Sequence, residues 1–204
     1  MKTLAVLLLT LTLVRPAAAD GPADIPDLFA SSFAYETTGD LDRALNDALR
    51  VVRVEPSHYV ATLRAGWLYY LKGRYGDSVD LYQKAVKLAP NAAEPKLGLM
   101  LPLMAAGRWG EAEAVGEQVL AKAPRNYLAA SRLAYCAFSQ GRWKVAEQRY
   151  KEVLDDYPGD LEMMLGLAWT WAKQGRAAEA KGLFQKVLVI RKDNVNARAG
   201  LDSL

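Results

Sequence analysis

Covalent catalysis finds little to work with in this sequence. The chain holds one histidine, His58, and one cysteine, Cys136. A nucleophilic site needs a positioned base beside its nucleophile, and His58 stands in a turn just after Pro56 with no such partner at a telling spacing. A single imidazole and a single thiol supply neither a histidine pair nor a thiolate cluster for zinc, and one thiol makes no internal disulfide. No phosphate-cradling GxxxxGK, HExxH, GxSxG or GxGxxG occurs. Cys136 lies between Tyr135 and Ala137 and reads as a small buried hydrophobe. The chemistry the sequence does advertise is non-covalent. Trp67, Tyr70, Tyr135 and Trp169, with Arg64 and Arg132, are of the residue types that dominate binding hot spots, and Phe138 joins them as an aromatic anchor. Arg64 and Arg132, Glu94 and Glu162, and Gly98 and Gly166 form three pairs, each 68 residues apart.

The elements that must position these residues follow a strict period. Glycine recurs at 39, 73, 107, 141 and 175, and proline at 56, 90, 124 and 158, both at a spacing of 34. A fixed period of this length means stacked units, each burying on its neighbours an apolar face it cannot bury alone. The units are 25–58, 59–92, 93–126, 127–160 and 161–194, and residues 195–204 begin a sixth that serves as a short capping helix. Each unit divides into two helices of about fourteen residues, the first ending at the glycine and the second before the proline. The twentieth residue of each unit is small: Ala44, Ser78, Ala112, Ala146, Ala180. Helices crossing about 8–10 Å apart require that. Tyr82, Tyr150 and Phe184, four residues further on, are expected to fill the next layer.

The pattern resembles the tetratricopeptide repeat. Gly66, Tyr69, Gly73, Tyr75, Tyr82, Ala85 and Pro90 match its signature in the second unit, and Ala134, Gly141, Trp143, Ala146, Tyr150 and Pro158 in the fourth. The departures are Met100 where a small residue is usual, Gly116 where an aromatic is usual, and Lys192 where a fifth proline would stand. The resemblance covers residues 25–194 and implies an all-α, right-handed α-solenoid of antiparallel helix pairs. It also implies an interaction scaffold rather than an enzyme, with no cofactor or metal, whose first helices line a concave groove.

The family's groove positions fall on Phe29 and Phe33 in the first unit, Arg64, Trp67 and Tyr70 in the second, Leu101 in the third, Arg132, Tyr135 and Phe138 in the fourth, and Trp169 in the fifth. Apolar surface on that scale marks a partner site. The expected partner is a protein or peptide segment, apolar and with acidic groups for the two arginines. Lying roughly 20 Å apart, the arginines cannot grip one carboxylate together. Their internal alternative is an ion pair with the following unit's acid, Arg64 with Glu94 and Arg132 with Glu162. Phe29, Phe33 and Arg64 replace residues with which chaperone-binding members of the family hold a terminal carboxylate, which disfavours that role. Gly98 and Gly166 leave room for a partner's backbone or for the neighbouring arginine, or are drift, and Pro102 is expected to kink the first helix of the third unit by deleting one backbone hydrogen bond. Arg74, Arg108, Arg142 and Arg176, each following a periodic glycine, are expected to complement helix C-termini.

Residues 1–19 read as a secretory signal peptide. Leu4–Val14 is an apolar run of eleven residues after Lys2, followed by small residues up to Ala19. A spanning helix needs about 20 such residues, and no cysteine follows for lipid attachment. Residues 20–24 form a linker. Without Lys2 and Arg15 the 26 basic residues become 24, against 23 acidic ones. That balance gives neither a nucleic acid nor an anionic membrane a reason to bind. The sequence therefore describes an exported scaffold, periplasmic or secreted. Self-association through the apolar Val187–Ile190 end is the second reading, and an enzyme or small-ligand receptor the third.

Overall fold

A computed structural model describes residues 24–204; the expected signal peptide and nearly all of the linker lie outside the described residues. The described residues form eleven helices and no strand. They are α1 (Ile25–Thr37), α2 (Leu41–Val54), α3 (Tyr59–Leu71), α4 (Tyr75–Leu88), α5 (Glu94–Ala105), α6 (Trp109–Lys122), α7 (Tyr127–Ser139), α8 (Trp143–Asp156), α9 (Leu161–Lys173), α10 (Ala177–Ile190) and α11 (Val195–Asp202). Each packs on its neighbours in sequence, and α3, α5, α7, α9 and α11 also touch in succession. The result is an all-α solenoid of helix pairs. No described helix is long and apolar enough to cross a membrane.

The period has a local cause at each turn. Gly39, Gly73, Gly107, Gly141 and Gly175 have φ of 79°, 70°, 71°, 70° and 78°. Side chains with a Cβ enter this left-handed region only at a cost. The turn lets the next N–H reach back five residues, Arg74 N to Tyr69 O at 2.9 Å and Arg142 N to Ala137 O at 3.0 Å, satisfying carbonyls the helix leaves open. Most first helices start on a side-chain cap. Asn126, Asp160 and Asn194 accept from backbone N–H groups of α7, α9 and α11, and His58 Nδ1 accepts from Ala61 N at 3.3 Å. His58 is thus a half-buried helix cap. Asn194 also explains why α10 stops at Ile190 although Lys192 stands in place of proline. Ala92 offers no cap, so α5 begins one residue later than its counterparts, and the buried Lys96 ammonium donates to the Pro90 and Ala92 carbonyls there. α5 continues through Pro102 to Ala105.

The core lies between the two helices of a unit and the first helix of the next. Ala44, Ser78, Ala112, Ala146 and Ala180 are all fully buried at the crossings. Ser78 Oγ donates to Gly66 O at 2.7 Å, so even the polar member is satisfied. The third unit exchanges large for small: a Cβ at Gly116 would stand 2.8 Å from Met100 Cε and 2.9 Å from Leu133 Cδ2. Met100 supplies from the first helix the volume that an aromatic supplies from the second elsewhere. The unusual pair is one compensated swap.

Two glycines of opposite context test this account. Gly107→Ala, at a left-handed turn, should cost about 1 kcal/mol or more. Gly182→Ala, inside α10 with open space where its Cβ would go, should add about 0.5–1 kcal/mol. Urea midpoints of the two variants should move in opposite directions; a shared direction contradicts the assignment.

Candidate functional site

The first helices present two pockets along one trough. The N-terminal pocket, about 310 Å³, is lined by Phe33, Val60, Arg64, Trp67, Glu94 and Gly98 among others. The other, about 360 Å³, has walls from Met104, Arg132, Tyr135, Phe138, Leu165 and Trp169. They are equivalent by the repeat: Arg64, Trp67, Tyr82, Glu94 and Gly98 correspond to Arg132, Tyr135, Tyr150, Glu162 and Gly166.

Exposure separates the aromatic residues. Phe33 is 53% and Tyr135 48% exposed, and Val60 and Leu128 are exposed beside them. Phe29, Trp67, Tyr70, Phe138 and Trp169 are half-buried, each ring against another. Phe29 packs on His58 at 5.3 Å between centroids, Tyr70 between Trp67 at 5.5 Å and Tyr75 at 6.0 Å, Phe138 on Trp143 at 5.2 Å, and Trp169 on Phe184 at 5.3 Å. Leu101 is half-buried on α5. Each of these ring contacts lies within one unit, and Trp67, Phe138 and Trp169 also line the trough pockets.

The two arginines have different partners from those the sequence suggests. Arg64, only 7% exposed, turns back to the first unit: Nη1 lies 2.9 Å from Glu36 Oε2 and Nε donates to Ser32 Oγ at 2.7 Å. Its guanidinium carbon stands 3.6 Å from the Phe33 ring centre, and Nη2 is buried without an acceptor. Trp67 Nε1 donates to Glu36 Oε1 at 2.7 Å. This bridge spans a gap, since α1 and α3 make no close backbone approach. Glu94 instead accepts from the Tyr59 hydroxyl at 3.0 Å, and burial together with that acid pushes the phenol up to about 12. Arg132 donates from Nη1 to Leu97 O at 2.6 Å and does not pair with Glu162. The acid on the neighbouring Tyr127 is Asp160, at 2.6 Å. Sequence reading missed these phenol–acid bonds, whose only signal is a tyrosine opening the second and fourth units.

Gly98 and Gly166 serve neither a partner backbone nor an arginine. A Cβ at Gly98 would overlap the Tyr82 ring, and one at Gly166 the Tyr150 ring; both rings are buried, Tyr82 at 5% and Tyr150 at 3% exposure. Gly200 stands in the same relation to Phe184.

The other expected features are structural. Arg74, Arg108, Arg142 and Arg176 sit at the N-caps of second helices and pair with carboxylates, Arg74 with Asp77 at 2.9 Å, Arg108 with Glu111 at 2.7 Å, Arg142 with Glu113, and Arg176 with Glu147 and Glu179. They neutralise acids instead of complementing helix C-termini. Cys136 is fully buried, and burial pushes its thiol up to about 11. Among the described residues no three metal-ligating side chains gather.

Comparison with known proteins agrees with this architecture. Models of the tetratricopeptide repeat match residues 34–93, 102–160 and 137–201. MamA 41-end from Desulfovibrio magneticus RS-1 is 20% identical at a TM-score of 0.75, covering 85% of this chain and 98% of that one. YrrB, described as a TPR protein with an unusual peptide-binding site, is 18% identical at 0.70, covering 88% and 92%. The Small glutamine-rich tetratricopeptide repeat-containing protein 2 of Mycosarcoma maydis is 33% identical over 66 residues, 32% of this chain and 19% of that protein. This chain thus spans about a fifth of that curated relative.

The arginine pairs at the tips also set an acid limit. Partial burial works against the Glu147 carboxylate, but Lys151, Trp171 and Arg176 outweigh it and hold the group down to about 2. A depressed carboxylate stabilises the fold fully above its unfolded value of 4.5, and that contribution is lost as pH falls towards 2. Glu147→Gln should therefore flatten the fall of the thermal midpoint between pH 4.5 and 2; an unchanged slope contradicts the assignment. With three family-model matches laid over the helix pairs, the chain belongs to the tetratricopeptide repeat family.

Proposed function

We propose that this protein is an exported scaffold that holds a segment of another protein along its first-helix trough. The observation that carries the reading is the exposure of apolar side chains on first helices where they line two equivalent pockets, Phe33 and Val60 in one and Tyr135 in the other. Solvent exposure of such groups is unfavourable, and a partner's apolar side chains would remove it from water at about 25 cal/mol per Å². The YrrB likeness, to a protein described as having a peptide-binding site, is consistent with this use of the trough. Export rests on the sequence of residues 1–19.

A second reading is end-to-end self-association. Val189, at 86% exposure, with Ile190 and Val195, forms an apolar patch where the solenoid ends. Light scattering across concentration separates the readings, because the trough reading leaves the chain monomeric without its partner.

Photo-crosslinking in the native compartment tests the trough directly. A benzoyl-phenylalanine at position 135 should crosslink a partner, and one at the exposed Gln148 on α8 should not. Equal crosslinking at both contradicts the reading. N-terminal sequencing of the recovered protein should begin at Asp20, and a start at Met1 contradicts export.

A further inference from the structure

Arg64 and Arg132 occupy the same place in their units, but only one has a counter-ion. Glu36 and Ser32, which hold Arg64, lie 28 and 32 residues before it. The same steps back from Arg132 reach Met104 and Met100. Among the described residues Arg132 makes one polar contact, Nη1 to Leu97 O at 2.6 Å, and no carboxylate pairs with it. The ionisable groups acting on it are the phenols Tyr70 and Tyr82, and burial pushes Tyr82 up to about 12, so that phenol stays neutral. Arg132 is half-buried, and burial lowers its proton affinity without ever discharging a guanidinium. A cation taken partly out of water without a counter-charge is unfavourable, and an incoming anion relieves it.

We propose that the larger pocket takes an Asp or Glu side chain carried inside an apolar segment of the partner. Its carboxylate pairs with Arg132 through the free guanidinium N–H groups, and the adjoining apolar side chain fills the space between Tyr135 and Trp169. This rests on the trough being the binding face. The occupant carries a single acid, because Glu162 on the same pocket wall repels a second. The acid comes from a side chain rather than a chain end. The pocket runs from Met104 on α5 to Asn196 on α11 with Arg132 within it, so a chain ending at Arg132 would leave the remainder unfilled. Arg64 cannot take the same role, as Glu36 already neutralises it.

The test uses the full chain and end-blocked synthetic peptide pools of Leu, Phe, Trp and Met around a fixed central Glu or a fixed central Gln. A third pool has Gln and a free C-terminus. The Glu pool should bind about tenfold tighter than the Gln pool, the usual scale of a charge-assisted hydrogen bond. Arg132→Met should abolish that difference while the remaining affinity for both pools persists. Its thermal midpoint should stay unchanged or rise, whereas Arg64→Met should lower it. Equal binding of the Glu and Gln pools overturns the acid assignment and leaves the trough reading standing. Preference for the free C-terminus overturns the side-chain source. Failure of every pool to bind sinks the trough reading with it. A midpoint that falls as far in Arg132→Met as in Arg64→Met makes Arg132 structural and ends the proposal.

Discussion

The solenoid depends on a match of side-chain size across each helix junction. Tyr82, near the middle of α4, sits against Gly66 of its own unit, where a Cβ would stand 3.2 Å from the ring and be tighter than an ordinary contact, and against Gly98 of the next, where any Cβ would overlap. Dense packing leaves no slack at such a point, because a displaced ring forfeits many small dispersion contacts at once. The same junction is filled by Tyr150 against Gly166 and by Phe184 against Gly200. Where the second helix carries Ala48 or Gly116 in place of a ring, the next unit carries Arg64 or Arg132 in place of glycine. Large residues and small ones alternate across the junction, never large against large.

The chemistry of the trough follows from that match. The 68-residue recurrence of Arg64 with Arg132 and of Gly98 with Gly166 is a consequence of which second helices carry a ring, and Gly200 shows it, since it follows Phe184 and breaks the simple alternation while keeping the size rule. A position relieved of the need for glycine can carry a guanidinium over the trough. In the second unit that guanidinium is used to join units, through Glu36, across the gap between α1 and α3. In the fourth unit, where α5 and α7 already touch, no such bridge is built and the cation remains available. One packing rule thus yields two equivalent pockets with unequal charge.

The parts of this legible in the sequence were those set by backbone geometry and by size alone. Periodic glycine requires the left-handed turn, and all five adopt it. Ala44 and its counterparts had to be buried, because helices cannot cross over larger groups. Less legible were interactions that depend on where a long side chain turns. The sequence offers Arg64 the acid Glu94 by its 68-residue recurrence, yet the side chain takes Glu36, which no other unit repeats and which therefore left no periodic trace. The tip arginines were misassigned for a related reason, as proximity to a helix end in sequence does not say whether the nearest charge is a carbonyl or a carboxylate. A readable signal did go unused: His58, Asn126, Asp160 and Asn194 recur at the 34-residue period as helix caps, with Asp160 and Asn194 following Asn126 at that spacing.

The size rule is tested most directly by a double-mutant cycle at one junction, read by urea unfolding. Gly98→Ala alone should destabilise by about 1–3 kcal/mol, since Tyr82 has nowhere to move. In a Tyr82→Ala background the same change should stop destabilising and add about 0.5–1 kcal/mol, the helix preference for Ala over Gly, so that the two substitutions couple strongly. Additive effects of the two substitutions would contradict the account.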